Sequence, residues 1–374
     1  MTIRTTAPFR ADIVGSFLRP QQLKQARIFL RQGLINENDL KAVEDMCIRE
    51  LVAKQIKSGL KVITDGEFRR SWWHFDFMWG LHGVSKAAAP RGYKFHDEDT
   101  RAETAKLTGK VSGENHPFVE HFKFVNSLKV DGVQPRQTIP APAQLLATLL
   151  NVRGAVDQPE WAEVYANEAD LIEDIARAYR TVIRDLYNAG CRSLQFDDCT
   201  FPVLCDENIV KGRGLNAEAL LNKYLTVNNL AIEGKPADLT LTTHLCRGNY
   251  HSTYFASGSY DKVAARLFGE ENVDAYYLEF DDERSGGFEC LKQVSDNKLV
   301  VLGLITSKRP QLEDKDVVIA RIHEAAKYID LDRLCLSPQC GFSSTEEGNK
   351  LTDEDQWKKI ALIQDIAHAV WGED

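Results

Sequence analysis

Residues 299–337 read LVVLGLITSKRPQLEDKDVVIARIHEAAKYIDLDRLCLS, and the fold turns on this stretch. Leu299–Leu304 is a short apolar β-type run. Asp314–Ile329 places its apolar residues at helical spacing, and Arg333–Ser337 is a second β-type run. A strand, a helix and a strand in that order imply parallel pairing through a right-handed crossover. The same unit recurs. Further β-type runs are Ala11–Ser16, Val62–Asp65, Gln137–Ala141, Ser193–Asp197, Leu239–His244 and Tyr276–Phe280, which brings the number to eight. Helical patterns cover Glu37–Ser58, Glu160–Asn188, Asn216–Ile232 and Asp353–Val370. Asn36-Glu37-Asn38 and Thr352-Asp353-Glu354 supply N-cap and acidic first-turn signals for two of them. Eight such units predict one α/β domain over residues 1–374, a closed (β/α)8 TIM barrel. An open doubly wound sheet would carry a Gly-rich turn after its first strand. Here Val14-Gly15-Ser16-Phe17 follows, which is no GxGxxG.

Two places interrupt the rhythm. Residues 18–36 add a helical stretch. Residues 81–136 form a Gly/Pro-punctuated excursion with alternating runs at Lys106–Val111 and Phe118–Val130. We read it as an antiparallel hairpin inserted between the second and third barrel strands. It would cover an active-site mouth or serve as a contact in a homo-oligomer.

Composition narrows the partners. Hydrophobic residues make up 43% and charged residues 27% of the 374, ordinary values for a globular chain. No apolar stretch reaches the length of a membrane-spanning helix. The N-terminus lacks the apolar core of a secretory signal, so a cytoplasmic location is expected. With 46 Lys+Arg against 55 Asp+Glu and no basic run longer than two, neither nucleic acid nor an acidic membrane is an expected partner. Eight cysteines in a chain this long are no disulfide scaffold. In a reducing compartment such thiols are core residues, reactive groups or metal ligands.

The chemistry concentrates at strand ends. The run Leu239-Thr-Leu-Thr-Thr-His244-Leu-Cys246 finishes in His-x-Cys, and residues two apart on a strand point the same way. Alone, that pair is equally what a packed core supplies. Ala275-Tyr-Tyr-Leu-Glu279 adds a carboxylate inside an apolar strand, where an unpaired charge is costly. The last strand runs into Gln339-Cys340-Gly341, a second thiol in a turn. His244, Cys246, Glu279 and Cys340 all fall near C-terminal strand ends, where barrel active sites are built. Imidazole, two thiolates and a carboxylate favour zinc. Such an ion lowers the pKa of a bound substrate thiol, and the thiolate can then attack an electrophilic carbon. Thr64-Asp65-Gly66-Glu67 and Phe196-Asp197-Asp198 place acids after two other strands, suited to a substrate ammonium. Gly15-Ser16 offers backbone amides and a hydroxyl to a carboxylate. An amino acid carrying a thiol satisfies all three groups. The plainer reading of these acids is helix caps and surface ion pairs.

Ile13-Val-Gly-Ser-Phe, Thr64-Asp-Gly-Glu-Phe-Arg-Arg, Gln195-Phe-Asp-Asp, His244-Leu-Cys and Cys340-Gly-Phe together resemble the C-terminal catalytic barrel of cobalamin-independent methionine synthase. The likeness is closer to the short, single-barrel branch of that family, often labelled 5-methyltetrahydropteroyltriglutamate–homocysteine methyltransferase-like. It runs from about residue 10 to 370. The resemblance implies zinc on His244, Cys246, Glu279 and Cys340. It implies homocysteine held with its carboxylate at Ser16 and its amine at Glu67 and Asp197. The second substrate would be a methyl donor, 5-methyltetrahydrofolate or its polyglutamate, a methylcorrinoid protein or another methyl compound. The departures are specific. The family's N-terminal barrel has no room here. Thr138-Ile-Pro-Ala-Pro-Ala-Gln lacks the pterin-stacking Trp, and Thr306 stands where a His would protonate the departing folate. Trp72-Trp73-His74-Phe75 offers another stacking surface and acid, and His251 is a second candidate acid. Two rivals remain. One is a zinc thiol-alkyltransferase of the epoxyalkane–coenzyme M type, whose sulfonate substrate Glu67 and Asp197 would repel. The other is a non-catalytic zinc-binding barrel.

Overall fold

The structure is a computed structural model that describes residues 3–152, 154 and 161–372. Nine strands are present among them: β1 Val62–Ile63, β2 His82–Ala88, β3 Glu103–Ser112, β4 Gln134–Pro140, β5 Ser193–Asp198, β6 Thr240–Leu245, β7 Ala275–Glu279, β8 Leu299–Ile305 and β9 Leu334–Pro338. Seven form one parallel sheet in the order β1-β4-β5-β6-β7-β8-β9, while β2 and β3 pair antiparallel. Every residue of β5, β7 and β9 is buried. That is the reason these strands read as near-continuous apolar runs: helices cover one face and the barrel interior the other.

The expected first strand, Ala11–Ser16, is not a regular strand. It makes one parallel bridge to each edge of the sheet, Ala11 to Leu336 and Ser16 to Gly66. Asp12 N–H donates to the Leu336 carbonyl at 2.9 Å, and Phe17 N–H to the Gly66 carbonyl at 3.1 Å. The curled sheet is thereby closed by a segment rather than by a full ladder. The physical reason is that side chains take its carbonyls. Arg136 donates to Ile13 O (2.7 Å), Gln195 to Val14 O (2.7 Å) and Thr64 to Gly15 O (2.6 Å). β1 is likewise shorter than the expected Val62–Asp65, because the Gln55 amide bonds both the N–H and the carbonyl of Thr64.

The helices follow their caps. Helix 37–57 starts at a capping box of Asn36 and Asp39, and helix 353–371 at one of Thr352 and Asp355. The predicted 160–188 pattern begins at Glu160, outside the described residues, and its helix is Glu168–Asn188 with an Asn167 cap. Among the described residues, no helix is long and apolar enough to cross a membrane.

The excursion 81–136 is a hairpin in part. β2 and β3 supply it, with a register shift at Gly83, where φ is +75° and a side chain would strike the Lys110 carbonyl. The second predicted run, Phe118–Val130, needs correction: residues Phe118–Asn126 are helical. Phe118, Phe122 and Val125 bury one face at spacings of four and three, a helical period that outweighs the apparent alternation. The loop between β2 and β3 packs on the loop after β6. His96 N–H donates to the Tyr254 carbonyl at 3.0 Å, and Phe95 lies 5.4 Å from Tyr250 and 5.5 Å from Phe255 between ring centres.

Candidate metal and thiol site

The C-terminal ends of β5, β6 and β9 surround an open cavity. Its walls include Ser16, Glu67, Trp73, Asp197, Cys199, His244, Cys246, Asn249 and Cys340. β6 ends at Leu245, yet Cys246 N–H still donates to the Asp198 carbonyl at 2.9 Å. Strand geometry thus persists for one more residue, and His244 and Cys246 face the same way.

One ligand atom each from His244, Cys246 and Cys340 lies within 4.8 Å of the other two, and all three residues are buried. The sulfurs of Cys246 and Cys340 are 3.5 Å apart. Two thiolates on a tetrahedral zinc at ~2.3 Å would stand ~3.8 Å apart, whereas a disulfide needs ~2.05 Å. His244 Nδ1 sits 3.3 Å from the Tyr277 carbonyl and donates to it, which leaves Nε2 as the acceptor. Nε2 is buried and lacks a hydrogen-bond partner. An imidazole oriented by a carbonyl with its other nitrogen bare is the arrangement metal-ligating histidines adopt. Hydrogen bonds from Cys199 and Cys340 hold the Cys246 thiol well below its ordinary range, and the Gly248 N–H lies 3.3 Å from its sulfur. Cys340, next to that negative sulfur and buried, is pushed up. These residues fit zinc.

Glu279 adjoins this group but its carboxylate has other partners. Arg247 N–H donates to Oε2 at 2.5 Å, and Lys308, Gln339 and Arg284 approach Oε1 at 3.3, 3.2 and 3.5 Å. Of the four residues named from sequence, the structure therefore draws three ligand atoms together and leaves the fourth in a cationic cradle beside them.

The acids face the other side of the cavity. Glu67 has φ +62°, a left-handed backbone rare for a residue with a side chain. It is held there by Asp65, whose carboxylate accepts from Glu67 N–H at 2.8 Å, and by Arg19, which donates to its carbonyl at 2.7 Å. Oε1 accepts from Thr138 (3.1 Å) and pairs with Arg70 (3.2 Å), while Oε2 is buried without a partner. Burial pushes the Glu67 carboxyl up despite Arg70 and Arg19. Asp197 is pushed up to about 7, first by burial and then by the charge of Glu67. Gln195 donates to its Oδ1 at 2.8 Å. The neighbouring acids do structural work. Asp65 caps the Glu67 turn, and Asp198 accepts from Thr200 and Asn228. Asp197 and Asp198 are adjacent on β5 and point to opposite faces, so only one of them can reach the cavity, whereas Asp65 and Glu67 lie beyond β1 and are separated by the left-handed backbone at Gly66 and Glu67. Ser16 Oγ accepts from Ser343 N–H at 3.2 Å and lies against Gly341, where a Cβ would come within 1.9 Å of it.

His251 is elsewhere. Its Nδ1 is 2.7 Å from Glu98 Oε2 in the β2–β3 loop, its side chain is 38% exposed, and it is not part of the cavity wall. Sequence reasoning missed Cys199 and Asn249. Cys199 follows directly on Asp197-Asp198, and that adjacency was the available signal. Asn249 donates to Gly341 O (2.8 Å) and Ser344 Oγ (3.1 Å), which ties the loops after β6 and β9 together. No spacing in the sequence announces that contact.

Comparison with known proteins agrees with this layout. A family model described as "Cobalamin-independent synthase, Catalytic domain" matches residues 9–356. The uncharacterized protein YxjG of Bacillus subtilis is 44% identical over 373 residues, 98% of this chain and 96% of that protein. The crystal structure of a putative vitamin-B12 independent methionine synthase from Listeria monocytogenes superposes with a TM-score of 0.78 at 36% identity, covering 98% of this chain and 99% of that one. A B12-independent methionine synthase from Shewanella sp. W3-18-1 shares the fold, with a TM-score of 0.73 at 21% identity over 96% and 97% of the two chains.

Proposed function

The chain belongs to the family of the cobalamin-independent synthase catalytic domain, and from that premise we propose that it transfers a methyl group to the thiol of homocysteine or a close analogue. One observation carries the reading: a His-Cys-Cys ligand set and two buried acids, one with a bare oxygen, share the same cavity. His244, Cys246 and Cys340 would hold zinc, with Glu279 as the fourth candidate. Bound there, zinc lets a substrate thiol ionise at neutral pH. Glu67 and Asp197 receive the substrate ammonium. The partnerless Glu67 Oε2 is the acceptor such a cation would satisfy, and its charge favours the ionised form of both acids, against the burial that pushes them up. Ser16 and the backbone around Gly341 flank the carboxylate. Trp73 forms the apolar wall that keeps water from the sulfur. With both ends of the amino acid held, the sulfur lone pair attacks the donor's methyl carbon in line, and the bond from that carbon to the donor breaks. Such alignment needs ~3–3.5 Å between the reacting atoms.

The test is direct. Zinc-loaded protein is incubated with homocysteine and, in separate arms, 5-methyltetrahydrofolate, its triglutamate and methylcobalamin. Methionine is then measured. Methionine in at least one arm that disappears after chelation supports the reading. Zinc-loaded protein that binds coenzyme M in preference to homocysteine refutes it.

A further inference from the structure

The cavity holds three thiols where a zinc site built on His244, Cys246 and Cys340 uses two. Cys199, Cys246 and Cys340 pack together against Trp73, and all three line the cavity. Cys199 is outside the group of ligand atoms that lie within 4.8 Å of one another. It nonetheless packs against Cys246 in that buried cluster, which puts an S–H donor beside the Cys246 sulfur. On the same sulfur, the Gly248 N–H approaches to 3.3 Å. Cys199 is 4% exposed and fixed at a strand end, where the next residue, Thr200, is tied to Asp198 through both its N–H and its hydroxyl at 2.6 Å.

A methyltransferase that uses thiolate ligands has a selectivity problem. The electrophilic methyl passes close to protein sulfurs that are themselves nucleophiles. A hydrogen bond to a thiolate withdraws electron density and lowers its nucleophilicity, and groups outside the ligand set tune a metal site in this way. We propose that Cys199 is a positioning residue that donates its S–H to Cys246 and, with the Gly248 N–H, keeps that ligand sulfur from accepting the methyl group. This rests on the function proposed above. The suppressed side reaction is explicit. A Cys246 lone pair would form an S–C bond, the bond from methyl carbon to its leaving group would break, and the leaving group would depart with the electron pair. The product would be S-methyl-Cys246, a thioether and a far poorer ligand.

The experiment compares zinc-loaded wild type, Cys199→Ala and Cys199→Ser after exposure to methyl iodide. Peptide mass spectrometry reads the methyl adduct on Cys246. Cys199→Ala is expected to methylate Cys246 about fivefold faster, the factor equivalent to one hydrogen bond of about 1 kcal/mol. Cys199→Ser, which keeps a donor, should return the rate to near that of wild type. In the cobalt-substituted protein, the thiolate charge-transfer band should move to lower energy in Cys199→Ala alone. A purely structural role would not shift that band and restore it with serine. Equal Cys246 methylation in wild type and Cys199→Ala overturns the proposal and leaves the function standing. A wild type that takes up neither zinc nor cobalt overturns both. Should Cys199→Ala lose metal, the serine variant decides: methylation as slow as in wild type supports the donor role, and faster methylation refutes it.

Discussion

Replacing Asp197 with Asn should move stability and substrate binding in opposite directions. Asp197 is buried, its carboxyl is pushed from an ordinary 3.8 up to about 7, and burial is the leading cause, with the charge of Glu67 second. The folded protein therefore holds a proton that the unfolded chain releases. Between pH 3.8 and 7 stability falls as pH rises, and above 7 the loss is complete. The displacement corresponds to a ceiling of roughly 4 kcal/mol, and relaxation of the cavity reduces it to about 2–4 kcal/mol. Asn carries no charge, so Asp197→Asn should be more stable than wild type by that amount at pH 9 and by much less at pH 5. Urea unfolding of the protein without thiol, at both pH values, measures the difference. Calorimetric titration with homocysteine should show the converse. A charge-assisted hydrogen bond of about 1.5–3 kcal/mol is lost, and affinity falls about 10–100-fold. A variant no more stable at pH 9 than wild type, or one that binds the amino acid equally well, refutes the view that this acid is held in a costly environment to meet an ammonium.

Three further outcomes follow from the geometry. Cys246→Ser should reduce bound zinc to well below one per chain by elemental analysis and abolish turnover; full metal content with full rate removes Cys246 from the ligand set. Asp12→Ala should destabilise the fold by about 3–5 kcal/mol in urea titration, because it strands the fully buried Arg136 guanidinium that Asp12 pairs at 2.8 Å. His251→Gln should lower kcat less than tenfold, since the ring is engaged by Glu98 and lies off the cavity wall; a hundredfold loss in steady-state rate would give it the acid's role.

Much of the barrel was legible because parallel strands buried on both faces announce themselves as apolar runs. β5 to β9 fall within a residue or two of their expected positions. The first strand was misread because side chains replace its backbone partners. The Ala11–Ser16 carbonyls go to Arg136, Gln195 and Thr64, contacts between residues 49 to 181 positions apart that no local pattern encodes. At the site, His244, Cys246 and Cys340 were readable from residue type and position at strand ends. The cradle of Arg247, Arg284, Lys308 and Gln339 around Glu279 was not, because cations on loops look like solvent-facing charges until the loops are folded. Asp65 beside Glu67, and Asp198 beside Asp197, were indistinguishable in kind. Strand alternation separates Asp198 from Asp197, and the left-handed turn at Gly66 and Glu67 separates Asp65 from Glu67, in each case the acid that caps from the one that lines the cavity.

The seam at Ala11–Ser16 also sets the order in which the molecule can become competent. Its anchors, Leu336 and Gly66, lie far apart in the chain, and Leu336 is translated after all the other strands of the sheet. Ser16 meets the Gly341–Ser343 turn only after β9 has emerged, and a chain halted before Leu336 would have neither the seam closed on both edges nor Cys340. The closure of the sheet and the completion of the sulfur set therefore depend on the same late segment of the fold.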